Sequence, residues 1–128
     1  MLKVVKIFIG DIILEAEFLN TPCAAAIAAM LPIDVCPKEW GDEFYFTIPV
    51  YMPLDETATL RVVAGDICYW PPGPALAIFF GPTPMSTGTD PVPASEVNLV
   101  GRIIGNPNLL KSCKGAKRIR VELQACYT

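Results

Sequence analysis

Apolar and polar residues alternate in several short stretches of this chain, and a period of two predicts β-strands with one buried face. Two such stretches in residues 3–18 flank Gly10 and Asp11, a turn-forming pair that predicts a tight hairpin or a bulge. Residues 76–80 are apolar throughout, which indicates a strand covered on both faces. The remaining predicted strands are 43–51, 57–64, 67–70, 97–104 and 117–125.

Two short helical segments interrupt this pattern. Thr21 and Pro22 form an N-cap followed by proline at the first helical position, and the alanine-rich run 23–31 has a high helix propensity that Pro32 ends. A second helical turn is predicted at 107–114. The stretch 81–95 is rich in Pro, Ser, Thr and Gly, and we expect a long, partly ordered loop at the rim of a binding face.

About eight short strands without a regular strand-helix-strand alternation favour an antiparallel barrel or sandwich over a parallel sheet. Closure of a barrel would also remove exposed strand edges. The 128 residues suit one hydrophobic core. We therefore predict a mainly β fold, a closed antiparallel eight-stranded barrel with one or two short helices, in a single domain over residues 1–128.

Charge and composition exclude several classes of function. The net charge is −3 and the basic residues are dispersed except at 114–120, so nucleic acid is not an expected partner. That basic cluster could bind an anion or could be a solvated face. The chain has no histidine, which removes the commonest metal ligand and every nucleophile that depends on a histidine base. We expect no metal and no cofactor.

The five cysteines are odd in number and contain no C-x-x-C pair, so we expect reduced, mostly buried thiols. The apolar run near the N-terminus is broken by Lys6 and Asp11 before it reaches the form of a signal peptide. These features predict a cytoplasmic protein that has no membrane partner.

One long segment carries a resemblance to a known family. Residues 65–86, GDICYWPPGPALAIFFGPTPMS, are similar to the signature of small prokaryotic cyclophilin-like proteins of unknown function. The segments WGDEFYFTIPV at 40–50 and PASEVNLVGRI at 93–103 follow the same order as in that family. The resemblance covers nearly the whole chain and implies an eight-stranded barrel whose ends are closed by helices.

The resemblance does not carry over the active site of the prolyl isomerases. That site combines an arginine with a glutamine, a histidine and an apolar pocket for the proline ring. Here residues 40–51 contain no arginine, Gln124 is the only glutamine, and histidine is absent. We assign no catalytic residue.

Aromatic side chains beside two proline-rich turns are the main candidates for a ligand site. If their strands are neighbours, they could line a concave apolar patch, or they could simply fill the core. The candidates are Tyr45, Tyr51, Tyr69, Trp70, Phe79 and Met85.

Two isolated arginines and one pair of carboxylates are further candidates. Arg61 and Arg102 could clamp a carboxylate of a ligand or could form surface salt bridges. Asp42 and Glu43 could share a proton, but adjacent strand residues point to opposite faces, which favours a turn over 40–42 instead.

Three functional hypotheses follow. The preferred one is a module that binds a small molecule or a proline-containing peptide in an aromatic groove. The second is a prolyl isomerase in which Arg61 or Arg102 replaces the missing arginine. The third is a structural or homo-oligomeric module that associates through its apolar surface.

Overall fold

A computed structural model describes residues 3–124 of the chain. Within that range, nine strands pair antiparallel in one sheet, which curves into a half-barrel. The fold contains few helices. The strands are β1 Lys3–Ile9, β2 Ile12–Phe18, β3 Ile33–Val35, β4 Lys38–Glu39, β5 Glu43–Thr47, β6 Asp66–Trp70, β7 Ala75–Phe79, β8 Asn98–Ile104 and β9 Ile119–Leu123.

The predicted hairpin and helices are confirmed. Strands β1 and β2 pair from Lys3 with Phe18 to Ile9 with Ile12. Helix α1 spans Pro22–Met30, and the side chain of Thr21 accepts a hydrogen bond of 3.1 Å from the backbone N–H of Ala24. A 3₁₀ helix spans Pro107–Cys113. Among residues 3–124, no helix is long and apolar enough to cross a membrane.

The predicted closed eight-stranded barrel is wrong, because the sheet has nine strands and stays open. Its strand order is β3-β9-β1-β2-β8-β6-β7-β5-β4, so the short strands β3 and β4 form its two edges. Only Cys36 and Pro37 separate these strands along the chain. Three residue steps span at most about 11 Å, so the edges approach each other without a shared ladder of hydrogen bonds.

Side-chain contacts replace that ladder between the two ends of the sheet. The backbone N–H of Gly115 donates a hydrogen bond of 2.6 Å to a carboxylate oxygen of Glu39, and Lys114 Nζ lies 2.8 Å from Asp42 Oδ1. At the β3 end of the sheet, Arg118 forms an ion pair of 2.9 Å with Asp34 of the neighbouring strand. The basic cluster is thus largely neutralised by carboxylates of this chain, which favours its interpretation as a solvated face.

The central strands bury side chains on both faces of the sheet. Alternation places one set of residues in the main core with α1 and the opposite set in a second apolar cluster. All five residues of β7 are buried, as the apolar run in the sequence predicts. The second cluster contains Val62, Cys68, Ala77, Phe79 and Val97, with Tyr45, Trp70 and Leu99 packed against it.

The predicted strand 57–64 is wrong, since only Thr59 forms an isolated bridge, with Val97. Side-chain hydrogen bonds take the place of a ladder there. The hydroxyl of Thr57 accepts a hydrogen bond of 2.9 Å from the backbone N–H of Leu99, and Asp55 Oδ1 accepts from the N–H of Thr57 at 2.8 Å. Local bonds of this kind compete with regular strand pairing.

Candidate ligand pocket

A concave pocket of about 220 Å³ lies over the second apolar cluster. Such clefts, apolar with few polar groups, are the usual form of a ligand site. The residues that line it are Trp40, Glu43, Tyr45, Trp70, Phe79, Pro93, Ala94 and Val97.

Strand register brings the wall residues together. Glu43 and Tyr45 lie two positions apart on β5 and therefore face the same side, and Glu43 pairs directly with Phe79 on β7. The backbone N–H of Trp40 donates a hydrogen bond of 3.0 Å to the carbonyl of Glu43, which continues the pairing beyond β4. Tyr45 pairs with the small residue Ala77, so the neighbouring rings do not fill this face.

The opposite wall comes from the long loop between β7 and β8, through Pro93, Ala94 and Val97. The indole Nε1–H of Trp70 donates a hydrogen bond of 2.7 Å to the hydroxyl of Ser95, which ties the loop to β6. The hydroxyl of Ser86 bonds the carbonyl of Asp90 at 2.7 Å within the same loop. These hydrogen bonds fix the loop to β6 and to itself at the edge of the pocket.

Glu43 is the one acidic or basic side chain among the pocket residues. Glu43 is only 8% exposed, and burial raises the pKa of its carboxyl from 4.5 to about 7. Within residues 3–124 no ion pair involves this carboxylate. A carboxyl with this pKa can accept a proton, donate one, or bind a cation near neutral pH.

Three of the sequence candidates meet at the pocket, namely Tyr45, Trp70 and Phe79. Tyr69 is fully buried in the main core, where its hydroxyl donates to the carbonyl of Val50 at 2.6 Å. Alternation along β6 explains the separation, because Tyr69 and Trp70 are adjacent and face opposite sides.

The other candidates lie away from the pocket. Tyr51 is 80% exposed and Met85 is 53% exposed, and neither lines the cavity. Arg102 Nε lies 3.1 Å from Asp66 Oδ1, so Arg102 forms a salt bridge within the chain. Arg61 is exposed, and the ion pairs within residues 3–124 do not include it.

Sequence reasoning considered Glu43 only as a partner of Asp42 and did not place it, Trp40 or the 93–97 segment in the pocket wall. Alternation already placed Glu43 beside Tyr45 on one face of the strand. The missing information was the pairing of Trp40 with Glu43, because β4 is only two residues long and has no periodicity to detect. Asp42, the suspected partner of Glu43, lies in the turn and binds Lys114 instead.

The described cysteines are free thiols, and three of them are buried as expected. Burial raises the pKa of the Cys68 thiol well above its ordinary value, and the negative charges of Asp66 and Glu43 act in the same direction. Cys68 therefore behaves as an inert core residue. Cys36 is exposed, and Cys126 lies outside the described residues.

Comparisons with known proteins agree with this architecture. The model of the family described as Cyclophilin-like matches residues 3–122. A hypothetical protein from Archaeoglobus fulgidus, solved in solution, is similar to this chain with 35% identity and a TM-score of 0.79, over 96% of this chain and 95% of that one. A search of curated proteins returned no match. The chain belongs to the cyclophilin-like family.

Proposed function

We propose that this domain binds a small molecule or a proline-containing peptide in the pocket between β5, β7 and the 81–97 loop. The observation that carries the proposal is a preformed apolar cavity with four aromatic side chains and one carboxyl group. A volume of about 220 Å³ is below the range of roughly 300–1,000 Å³ for drug-sized ligands. The pocket therefore suits a compact ligand or a single ring of a longer one.

A second depression supports an extended ligand. It is lined by Leu54, Pro71, Pro72, Ser95 and Glu96. Pro71 and Pro72 directly follow Trp70 of the pocket in sequence, and Ser95 and Glu96 directly follow Ala94, so the two cavities adjoin the segments that the hydrogen bond between Trp70 and Ser95 connects. A peptide with its proline ring in the pocket would have room for the neighbouring residues there.

The prolyl isomerase hypothesis has less support from this geometry. Isomerase chemistry of the known kind needs a guanidinium beside the amide, and neither Arg61 nor Arg102 lines the pocket. We expect a protease-coupled assay on Xaa-Pro peptides to show only the uncatalysed rate. Catalysis that is lost in Arg61→Ala or Arg102→Ala would instead establish an isomerase.

Tryptophan fluorescence provides a direct test of binding. The chain contains two tryptophans, and both line the pocket. Titration with Xaa-Pro peptides and with small heterocycles is expected to give saturable changes in emission. The variant Ala94→Leu places a larger side chain in the wall and should abolish them, while Ala29→Leu on the exposed surface of α1 should not.

Two outcomes would count against the proposal. If no compound changes the emission, or if Ala94→Leu binds as tightly as the wild type, the pocket is not the binding site. The remaining hypothesis of a homo-oligomeric module would then be tested by light scattering across a dilution series.

A further inference from the structure

Glu43 is a largely buried carboxyl group that has no counter-ion among residues 3–124, and its oxygens have access to solvent through the pocket. Glu43 is 8% exposed and lines the pocket. Within residues 3–124, its carboxylate forms no ion pair and no side-chain hydrogen bond. Removing a carboxylate from water without a partner is unfavourable. A ligand that brings a positive charge would remove this cost, whereas an apolar ligand would increase it.

Among residues 3–124, no cationic side chain forms an ion pair with Glu43. Lys38 pairs with Tyr45 and so shares its face, but Lys38 is exposed and is not within ion-pair distance of Glu43. From β6, the Cys68 thiol faces this region, and burial raises its pKa. Asp66 lies on the same face of β6, and its carboxylate is already paired with Arg102 at 3.1 Å. From β7, Phe79 faces it and carries no charge.

The rest of the wall suits a cation that carries carbon substituents. Trp40, Tyr45, Trp70 and Phe79 present aromatic rings, whose electron-rich faces attract organic cations. A primary ammonium has three N–H donors, and this wall would leave some of them unsatisfied. A tertiary ammonium has one N–H donor for Glu43 and places its alkyl groups against the rings.

We propose that the pocket binds an alkylated ammonium group, with Glu43 as its counter-ion and the rings of Trp40, Tyr45 and Trp70 as its walls. This inference rests on the proposed function, since it specifies the chemistry of the ligand in the same pocket. It assigns to Glu43 the role of selecting cationic over neutral ligands.

The test compares a cationic and a neutral N-methyl six-membered ring by tryptophan fluorescence. N-methylpiperidine is a tertiary ammonium at about pH 8, where the carboxyl of Glu43, with its pKa of about 7, is largely ionised. N-methyl-2-piperidone is its neutral counterpart. We expect the wild type to prefer the cation by about tenfold, a typical effect for a desolvated charge over aromatic rings.

Variants separate the charge from the shape of the site. Glu43→Gln should lose the tenfold preference for the cation, and Glu56→Gln, at an exposed position outside the pocket, should keep it. A pH series on the wild type needs no variant, and the preference should decrease as pH falls from about 8 to about 5.5.

The outcomes distinguish this inference from the proposed function. Equal affinity for the two probes, or a preference that survives in Glu43→Gln, overturns the ammonium assignment and leaves the binding pocket in place. If both probes and the proline peptides fail to bind, both proposals are overturned.

Discussion

Replacement of Glu43 by glutamine should make the protein more stable at alkaline pH. The folded protein holds the Glu43 proton more tightly than the unfolded chain, because burial raises its pKa from 4.5 to about 7. The stability that this proton contributes is fully present below pH 4.5 and is lost as pH rises through about 7. Glutamine has nearly the same shape and stays neutral throughout.

The pKa difference gives the expected magnitude. Each pKa unit corresponds to about 1.4 kcal/mol, so the span from 4.5 to about 7 sets an upper limit of about 3.5 kcal/mol. Water that reaches the pocket reduces this figure, and we expect the free energy of unfolding of Glu43→Gln to exceed that of the wild type by about 2 kcal/mol at about pH 8. At about pH 4 the two proteins should be equally stable.

Urea unfolding at several pH values measures this difference. Titrations of all other groups are shared by the two proteins and cancel in the comparison, and Glu56→Gln serves as the exposed control. If the wild type and Glu43→Gln show the same dependence of stability on pH, the reasoning about the buried carboxyl is refuted.

Two further predictions concern the core and the sheet. Tyr69→Phe removes a buried hydroxyl that donates a hydrogen bond to the carbonyl of Val50, and it should lower the free energy of unfolding by about 1–2 kcal/mol. Tyr51→Phe, at an 80% exposed residue, should leave the free energy of unfolding unchanged. An equal loss in both variants would contradict the stabilising role of the buried hydrogen bond. Gly101→Ala would place Cβ well inside contact with a backbone carbonyl of β2 and should cost about 3 kcal/mol, while Gly88→Ala, with open space around it, should be tolerated in the same urea assay.

Regular elements of the fold could be predicted from the sequence because each carries its own signal. The alternation in residues 3–18 and the Thr21-Pro22 start of α1 depend on neighbours in sequence, and both are confirmed. The strand edges could not be predicted in this way. Strands β3 and β4 have three and two residues, so their existence depends on the partner strands rather than on their own pattern.

The candidate site was predictable only in part for a related physical reason. Tyr45, Trp70 and Phe79 stood out by residue type, and alternation assigns them to one face once the strand register is known. The same rule moves Tyr69 to the opposite face. The environment of Glu43 depends on β7 and on the distant 81–97 loop, and no local pattern contains that information.

The most direct test of the central claim is a heteronuclear NMR titration that follows the indole N–H resonances of Trp40 and Trp70. With a proline-containing peptide or N-methylpiperidine, the account predicts saturable shifts at both indoles and along β5 and the 93–97 segment. Resonance shifts confined to other surfaces, or no shifts at the highest ligand concentration, would contradict the assignment of this pocket as the binding site.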